Sequence, residues 1–302
     1  MASTLPIARD PNGVVTLTLR QEGRPVVVLD YALLRAIDAA IGEIGASTPS
    51  GFVLASEGRV YIAGANLEEI MKLSDAELHE YLAFGQRVFG KIAQLGCTSV
   101  AAVHGAVLGG GLEIAMHCDR LIGVGPWSPK PEVPAKPYAV GLPEAGLSIC
   151  PGWGGTNLLA ARIDPRRAIE MTATGKTFNC LDAKEWGLFE TLVATPEELL
   201  PKARELAAVP KRLGGRPGEP IAISNTGDLG QVSAALRAAR ASVPPTAAAE
   251  AVFDCVHAGI DGGPERGWRA CLDAEREHLV RLRGSAEGRA AIQAFFDKSK
   301  AK

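Results

Sequence analysis

The stretch HGAVLGGGLEIAMHCD, residues 104–119, sets three consecutive glycines, Gly109, Gly110 and Gly111, directly before Leu112 and a lone acid, Glu113. The apolar run TSVAAVHGAVL leads into it. This pattern predicts a buried strand that enters a glycine turn and leaves it as a short helix from Leu112. Bare backbone at such a turn either permits tight strand-to-helix packing or lets amides and the positive end of a helix approach a ligand. The nucleotide-loop form of the second use needs GxGxxG or GxxxxGK[ST], and neither occurs here. Glu113 is equally ambiguous by itself, because an acid in a first helical turn also serves the helix dipole.

Composition narrows what the turn can serve. A chain of 302 residues with 47% apolar and 22% charged residues can bury a full core, as one large domain or one domain with an appendage. A formal charge of −2 supplies no basic field for nucleic acid or an anionic membrane, so neither is expected as a partner. The N-terminal MASTLPIARDPNG lacks an apolar targeting core and an Arg-rich amphipathic face, and no apolar run approaches a membrane span; a cytoplasmic location is expected. Cysteines at 97, 118, 150, 180, 255 and 271 form no CxxC pair and no cluster with histidine. They are expected to be reduced and mostly buried, with no metal site.

Outward from the glycine turn, strand-like and helical patterns alternate. VVTLTL (14–19), PVVVLD (25–30), GFVLAS (51–56) and RVYIAG (59–64) read as strands. In YALLRAIDAAIGEI (31–44), Leu34, Ile37, Ile41 and Ile44 recur at helical spacing. Ser74 and Glu77 form a capping box that opens a helix running to about Leu95, and RLIGVG (120–125) returns to strand character. The rhythm is α/β. Residues 1–195 are expected to form this core and 196–302 a helical C-terminal region, with a Gly- and Pro-rich linker near 210–230.

Two further motifs resolve the ambiguity of the first. VYIAGANLEEI (60–70) offers a second small-residue turn, with Ala65 between Gly64 and Asn66, and GLPEAGLSICPGWGGT (141–156) places an acid, Glu144, before another glycine-rich turn. In this order the three segments resemble the crotonase superfamily, the enoyl-CoA hydratase and isomerase family. RAIEMTATGKTFNCLDAKEWGLFETLV (167–193) extends the resemblance, and the segment from VPPTAAAEAVFDC (243–255) onward is similar to the one that follows the hydratase module of multifunctional fatty-acid oxidation proteins. No GxGxxG follows it, so a dehydrogenase is not expected on this chain.

The resemblance implies a crotonase-like spiral of ββα turns with a helical C-terminal region that commonly forms trimers; a homotrimer is one expectation and a monomer the other. It implies an acyl-CoA thioester as ligand and no separate cofactor, coenzyme A being part of the substrate. Ala65 and Gly110 match the backbone donors of an oxyanion hole, and Glu113 and Glu144 match the catalytic acids of hydratases. Ala63, Gly64, Asn66, Gly109, Gly111, Pro143, Gly152 and Trp153 fall in the segments around the substrate, although Trp153 by itself reads as a packing residue. Family members that only move a double bond usually keep a single acid, at the position of Glu144. Retention of both acids therefore favours hydration of a trans-2-enoyl-CoA over Δ3-Δ2 isomerisation or a non-catalytic acyl-CoA-binding role. Asn66 departs from the aspartate many members carry, and Val27 or Val28 from an asparagine near the first helix; both put local hydrogen bonding in doubt. His104 and His117 border the turn but read as packing or surface residues. The segment between the acids, GPWSPKPEVPAKPYAVGLPE (125–144), is longer than the family's usual spacing. Its prolines forbid a regular helix, so a semi-rigid loop is expected, either an excursion into solvent or a wall of the acyl channel.

Overall fold

The computed structural model describes residues 5–130, 132–211 and 226–300. Most of the expected linker at 210–230 therefore lies outside the described residues, as does Pro131. The elements run β1 (Ile7–Arg9), β2 (Val14–Leu19), α1 (Tyr31–Ala46), β3 (Gly51–Ser56), α2 (Leu67–Lys72), α3 (Asp75–Ala93), β4 (Thr98–Val103), β5 (Val107–Leu108), α4 (Gly110–Met116), β6 (Arg120–Val124) and β7 (Ala139–Gly141). A 3-10 turn (Glu144–Leu147), α5 (Gly155–Ala160), α6 (Pro165–Thr174), β8 (Phe178–Asn179), α7 (Cys180–Glu185), β9 (Thr191–Val193) and α8 (Pro196–Ala207) follow, then α9 (Thr226–Ser242), α10 (Ala247–Arg283) and α11 (Ala286–Lys300).

Contacts divide the chain into two units. The first combines Met1–Ala65, Arg87–Val140 and Phe178–Gly218. It holds a six-stranded sheet in the order β1-β2-β3-β4-β6-β9, parallel except for the edge strand β1. Leu17, Leu54, Ala101 and Leu121 lie side by side across four strands, which explains why these runs read as continuously apolar: parallel strands covered on both faces have no polar side. One face packs on α8, where Leu199, Ala203, Leu206 and Ala207 meet Val53, Val100 and Ile122. A Cβ on Gly51 would lie 2.3 Å from the Ala207 carbonyl oxygen, so α8 rests directly on the strand.

The division differs from the boundary expected at 195/196. Helix α8 belongs with the sheet because its buried stripe covers that apolar face, and the second unit takes in earlier segments, Asn66–Gln86 and Gly141–Thr177, along with Glu219–Lys302. The runs at 25–30 and 59–64 also differ from the full strands expected. They form two isolated parallel bridges, Leu29 with Ala65 and Ile62 with Val107. Pro25 lacks an amide donor and Gly64 turns the chain at φ +104°, which limits regular pairing. The small second sheet, β5-β7-β8, stands beside these bridges in the same unit.

The second unit is helical. Asp164 caps α6 by accepting from the Arg167 amide at 2.9 Å, with Pro165 at the first helical position, and Gly175 ends the helix at φ +65°. The capping box predicted at Ser74 and Glu77 is present: the Ser74 amide donates to Glu77 Oε2 at 2.8 Å and the Glu77 amide to Ser74 Oγ at 3.3 Å. Helix α10 is broken at Gly263, just before Pro264. Its first half packs so closely on α5 that a Cβ on Gly259 would reach within 2.0 Å of Asn157 Oδ1. All six cysteines are buried free thiols. Among the described residues no helix is long and apolar enough to cross a membrane.

Candidate active site

The two turns predicted to carry backbone donors meet in the first unit. The Leu29 amide donates to the Gly64 carbonyl at 2.9 Å and the Ala63 amide to Val27 at 2.9 Å, which pins the turn that ends at Ala65. A Cβ on Gly64 would lie 3.2 Å from Leu108 O and 3.8 Å from the Gly110 amide nitrogen. A side chain here would intrude between the two turns, and its absence lets the backbones approach. Gly109 leads into α4 with φ +52°, and its carbonyl accepts from the amides of Leu112 at 2.8 Å and Glu113 at 3.0 Å. Gly111 presses on the other turn, where a Cβ would lie 2.6 Å from Ile62 O. The Gly110 amide opens the helix and has no acceptor one turn back. Neither it nor the Ala65 amide enters the turn and cap hydrogen bonds of these segments. Glu113 sits in the first turn of α4, buried to 1% exposure.

Asn66 caps α2 by accepting from the Glu69 amide at 3.3 Å, so the departure from aspartate keeps the capping acceptor and loses only a charge. The histidines have structural roles. His117 is buried at the end of α4 with its ring edge-on to Phe89, centroids 5.7 Å apart, and His104 Nε2 lies 3.0 Å from the Gly58 carbonyl. Burial holds the His104 imidazole below its ordinary proton affinity.

Glu144 opens its 3-10 turn in the second unit, preceded by Pro143. The turn packs against α6 and α11. Glu144 Oε2 is fully enclosed and has no hydrogen-bond partner. Burial first, and the charge of Glu275 in addition, push its carboxyl up to about 8, against an opposing contribution from its own backbone amide. Both effects favour the protonated form of the acid. The segment that follows is taken up in packing. The Gly152 carbonyl accepts from Gln86 Nε2 at 2.9 Å, and Trp153 is 1% exposed with its ring edge-on to Tyr81, centroids 5.5 Å apart. A Cβ on Gly85 would lie 2.3 Å from Trp153 Nε1. The Trp153 side chain is thus packed between Tyr81 and Gly85.

Sequence reading missed Glu275. It lies on α10 with no solvent exposure, and its carboxylate accepts from the amides of Gly154 at 2.5 Å and Thr156 at 2.9 Å and from the Thr156 hydroxyl at 2.5 Å. The signal was available: Cys271, Glu275, Leu279 and Leu282 recur at helical spacing and are all buried, and an acid in an apolar stripe requires partners.

The proline-rich segment after β6 is irregular in its described residues, as expected. Trp127, Lys136 and Tyr138 wall a cleft of about 680 Å³ in the first unit, at the carboxyl ends of β2, β3, β4 and β6. Arg59 and His104 line it too, whereas Ala65, Gly110 and Glu113 do not.

A sequence profile for enoyl-CoA hydratase/isomerase matches residues 10–211. The chain belongs to the enoyl-CoA hydratase/isomerase family. Among relatives of this family, a crotonyl-CoA hydratase of Syntrophomonas wolfei is 36% identical over 155 residues, 51% of this chain and 55% of that protein. A fatty acid oxidation complex subunit alpha of Shewanella amazonensis is 29% identical over 314 aligned positions, 98% of this chain and 41% of that protein. The chain thus spans about half the length of the curated relatives it matches, or less. The crystal structure of an enoyl-CoA hydratase from Bacillus halodurans superposes with a TM-score of 0.66 at 19% identity, covering 97% of this chain and all of that one. The fold is that of crotonase-type enoyl-CoA hydratases, with a helical C-terminal region.

Proposed function

We propose that this chain is an enoyl-CoA hydratase that adds water to a trans-2-enoyl-CoA to give a 3-hydroxyacyl-CoA. The observation that carries the reading is the approach of two small-residue turns, which sets the Gly64–Ala65 backbone against the Gly110 amide one helical turn before Glu113. Addition to an unsaturated thioester builds negative charge on the thioester oxygen. Two amides aimed at that oxygen stabilise the enolate, and each donor of this kind contributes roughly 3 kcal/mol to the transition state. Glu113 is the base that takes a proton from the attacking water as its oxygen bonds to C3. Glu144 is the acid that delivers a proton to C2, a role that needs a carboxyl protonated at working pH. Similarity to a crotonyl-CoA hydratase supports the choice of hydration.

Glu113→Gln and Glu144→Gln are each expected to abolish hydration of crotonyl-CoA, followed as loss of enoyl absorbance, with circular dichroism unchanged. Substantial hydration by either folded variant would refute the two-acid mechanism. The competing chemistry within the family is isomerisation. It needs one acid, so a Glu113→Gln variant that still moves a double bond from the 3- to the 2-position, in a protein that never hydrates, would favour it. Binding of acyl-CoA without turnover of any enoyl-CoA would favour a non-catalytic role. Sedimentation of the full chain distinguishes a homotrimer from a monomer.

A further inference from the structure

We infer that Gln21 is a positioning residue for the Ala65 amide, because its side chain holds the segment against which the Gly64–Ala65 peptide is docked; the inference rests on the reading of that amide as an oxyanion donor. Gln21 lies just beyond the end of β2 and is half-buried. Its Oε1 accepts from the Val28 amide at 2.8 Å, and its Nε2 donates to Asp30 Oδ2 at 2.9 Å. One side chain thus grips the chain on both sides of Leu29. Asp30 is fixed at its other oxygen too, where Oδ1 accepts from the Leu33 amide at 2.8 Å and caps α1. Arg24 approaches Asp30 Oδ2 at 3.5 Å from a more exposed position.

The opposite edge of the same segment holds the donor turn. The Ala63 amide donates to the Val27 carbonyl and the Leu29 amide to the Gly64 carbonyl, each at 2.9 Å. Backbone groups of an extended chain alternate between its two edges, so with Val27 and Leu29 turned to the donor turn the Val28 amide faces away from it. There the Gln21 carboxamide supplies the acceptor that a neighbouring strand would otherwise provide. Val27 and Val28, which stand where the family resemblance expects an asparagine, have no polar side-chain atom to offer. The consequence for Ala65 follows from peptide geometry. A trans peptide is planar, with its carbonyl and its amide pointing in opposite directions, and the Gly64 carbonyl shares a plane with the Ala65 N–H. The bond from Leu29 therefore sets the direction in which Ala65 donates. Hydrogen bonds favour angles above about 150° and weaken steeply toward about 120°, so tilting this plane by a few tens of degrees would weaken the donor.

The test compares the full chain with three variants. Gln21→Leu removes both bonds, and Gln21→Glu keeps an acceptor for Val28 but sets two carboxylates together. The double variant Gln21→Glu with Asp30→Asn exchanges donor and acceptor, which restores both bonds at the same net charge. Initial rates with crotonyl-CoA give kcat and KM. Infrared spectra of bound butyryl-CoA, isotope-labelled at the thioester carbonyl, report the hydrogen bonds to that oxygen without turnover, because the stretch moves to lower frequency as they strengthen. In Gln21→Leu this downshift should shrink and kcat should fall about 10-fold or more, up to the roughly 100- to 1000-fold of losing a donor outright, with KM changed by less than about threefold. The double variant should recover both, and Gln21→Glu alone should not. A merely structural role would reduce the folded fraction and leave the downshift of the folded molecules in place. A full downshift in folded Gln21→Leu, or a folded double variant that fails to recover it, overturns the inference. If Gln21→Leu does not fold, Gln21→Glu against the double variant decides on the same readout, and equal downshifts in those two overturn it. Absence of any downshift in the unaltered protein would sink the donor reading of Ala65 and the inference with it. A downshift that responds as expected in a protein that hydrates no enoyl-CoA would sink hydration alone and leave the positioning intact.

Discussion

Gly175→Ala perturbs the candidate acid without touching any atom of it. Gly175 ends α6 at φ +65°, and a Cβ there would lie 2.2 Å from the Gly146 amide nitrogen, 2.8 Å from Gly146 Cα and 3.0 Å from Pro143 O. All three atoms belong to the segment that carries Glu144. Ordinary contact begins at about 3.5 Å, so the turn must retreat by roughly 1 Å. A left-handed alanine costs about 1 kcal/mol and overpacking adds about 1–3 kcal/mol, so the variant should lose about 2–4 kcal/mol of stability. A displacement of about 1 Å in a proton donor is expected to lower kcat on the order of 100-fold. Gly187→Ala is the control: its φ is +82°, yet no atom lies within 4 Å of the added carbon. It should lose only about 1 kcal/mol and keep its activity. Urea unfolding and initial rates with crotonyl-CoA measure both quantities. Equal stability losses in the two variants, with kcat retained in Gly175→Ala, would refute the argument that this close approach holds the Glu144 turn in place.

The raised proton affinity of Glu144, about 8 against an ordinary 4.5, links stability to pH. An acid whose folded value is raised imposes no cost below the unfolded value, and its cost grows as pH climbs from there to the folded value. Glu144→Gln should therefore stabilise the protein on the order of 2–4 kcal/mol near pH 8 and leave it unchanged below about pH 4.5; a gain independent of pH in denaturant titrations would count against the linkage. Asp119 accepts from the Ser99 amide and hydroxyl, both at 2.9 Å, and pairs with Lys211 Nζ at 3.4 Å in a nearly closed site. Asp119→Ala should cost about 3–5 kcal/mol by leaving the buried Ser99 donors without their acceptor and a largely buried cation without its counter-charge, and a thermal shift equivalent to less than about 1 kcal/mol would refute that account.

Local chemistry made the two small-residue turns legible. Three glycines before an acid, and Ala65 after Gly64, are constraints of backbone space, and such constraints act on neighbours along the chain. The capping box at Ser74 and the proline-rich loop are likewise short-range, and each was readable for that reason. The strands expected at 25–30 and 59–64 failed on a longer-range matter. β-pairing requires a continuous partner, and these runs obtain only single bridges. Trp153 shows the same limit: it reads as a packing residue from its own segment, but its partners, Tyr81 and Gly85, are brought in from another helix.

By itself the sequence determined the α/β class and the two small-residue turns, because periodicity and glycine spacing are properties of adjacent positions; Glu113 and Glu144 became candidate acids only through the family resemblance those segments carry. Only the tertiary structure decided which distant segments meet. Glu275 reaches the amides of Gly154 and Thr156 across 121 and 119 residues of chain, and helix α8 leaves the C-terminal helices to cover the sheet. Both outcomes follow from burial. A carboxylate withdrawn from water must find donors wherever packing provides them, and an apolar sheet face must be covered by whichever helix presents a matching stripe.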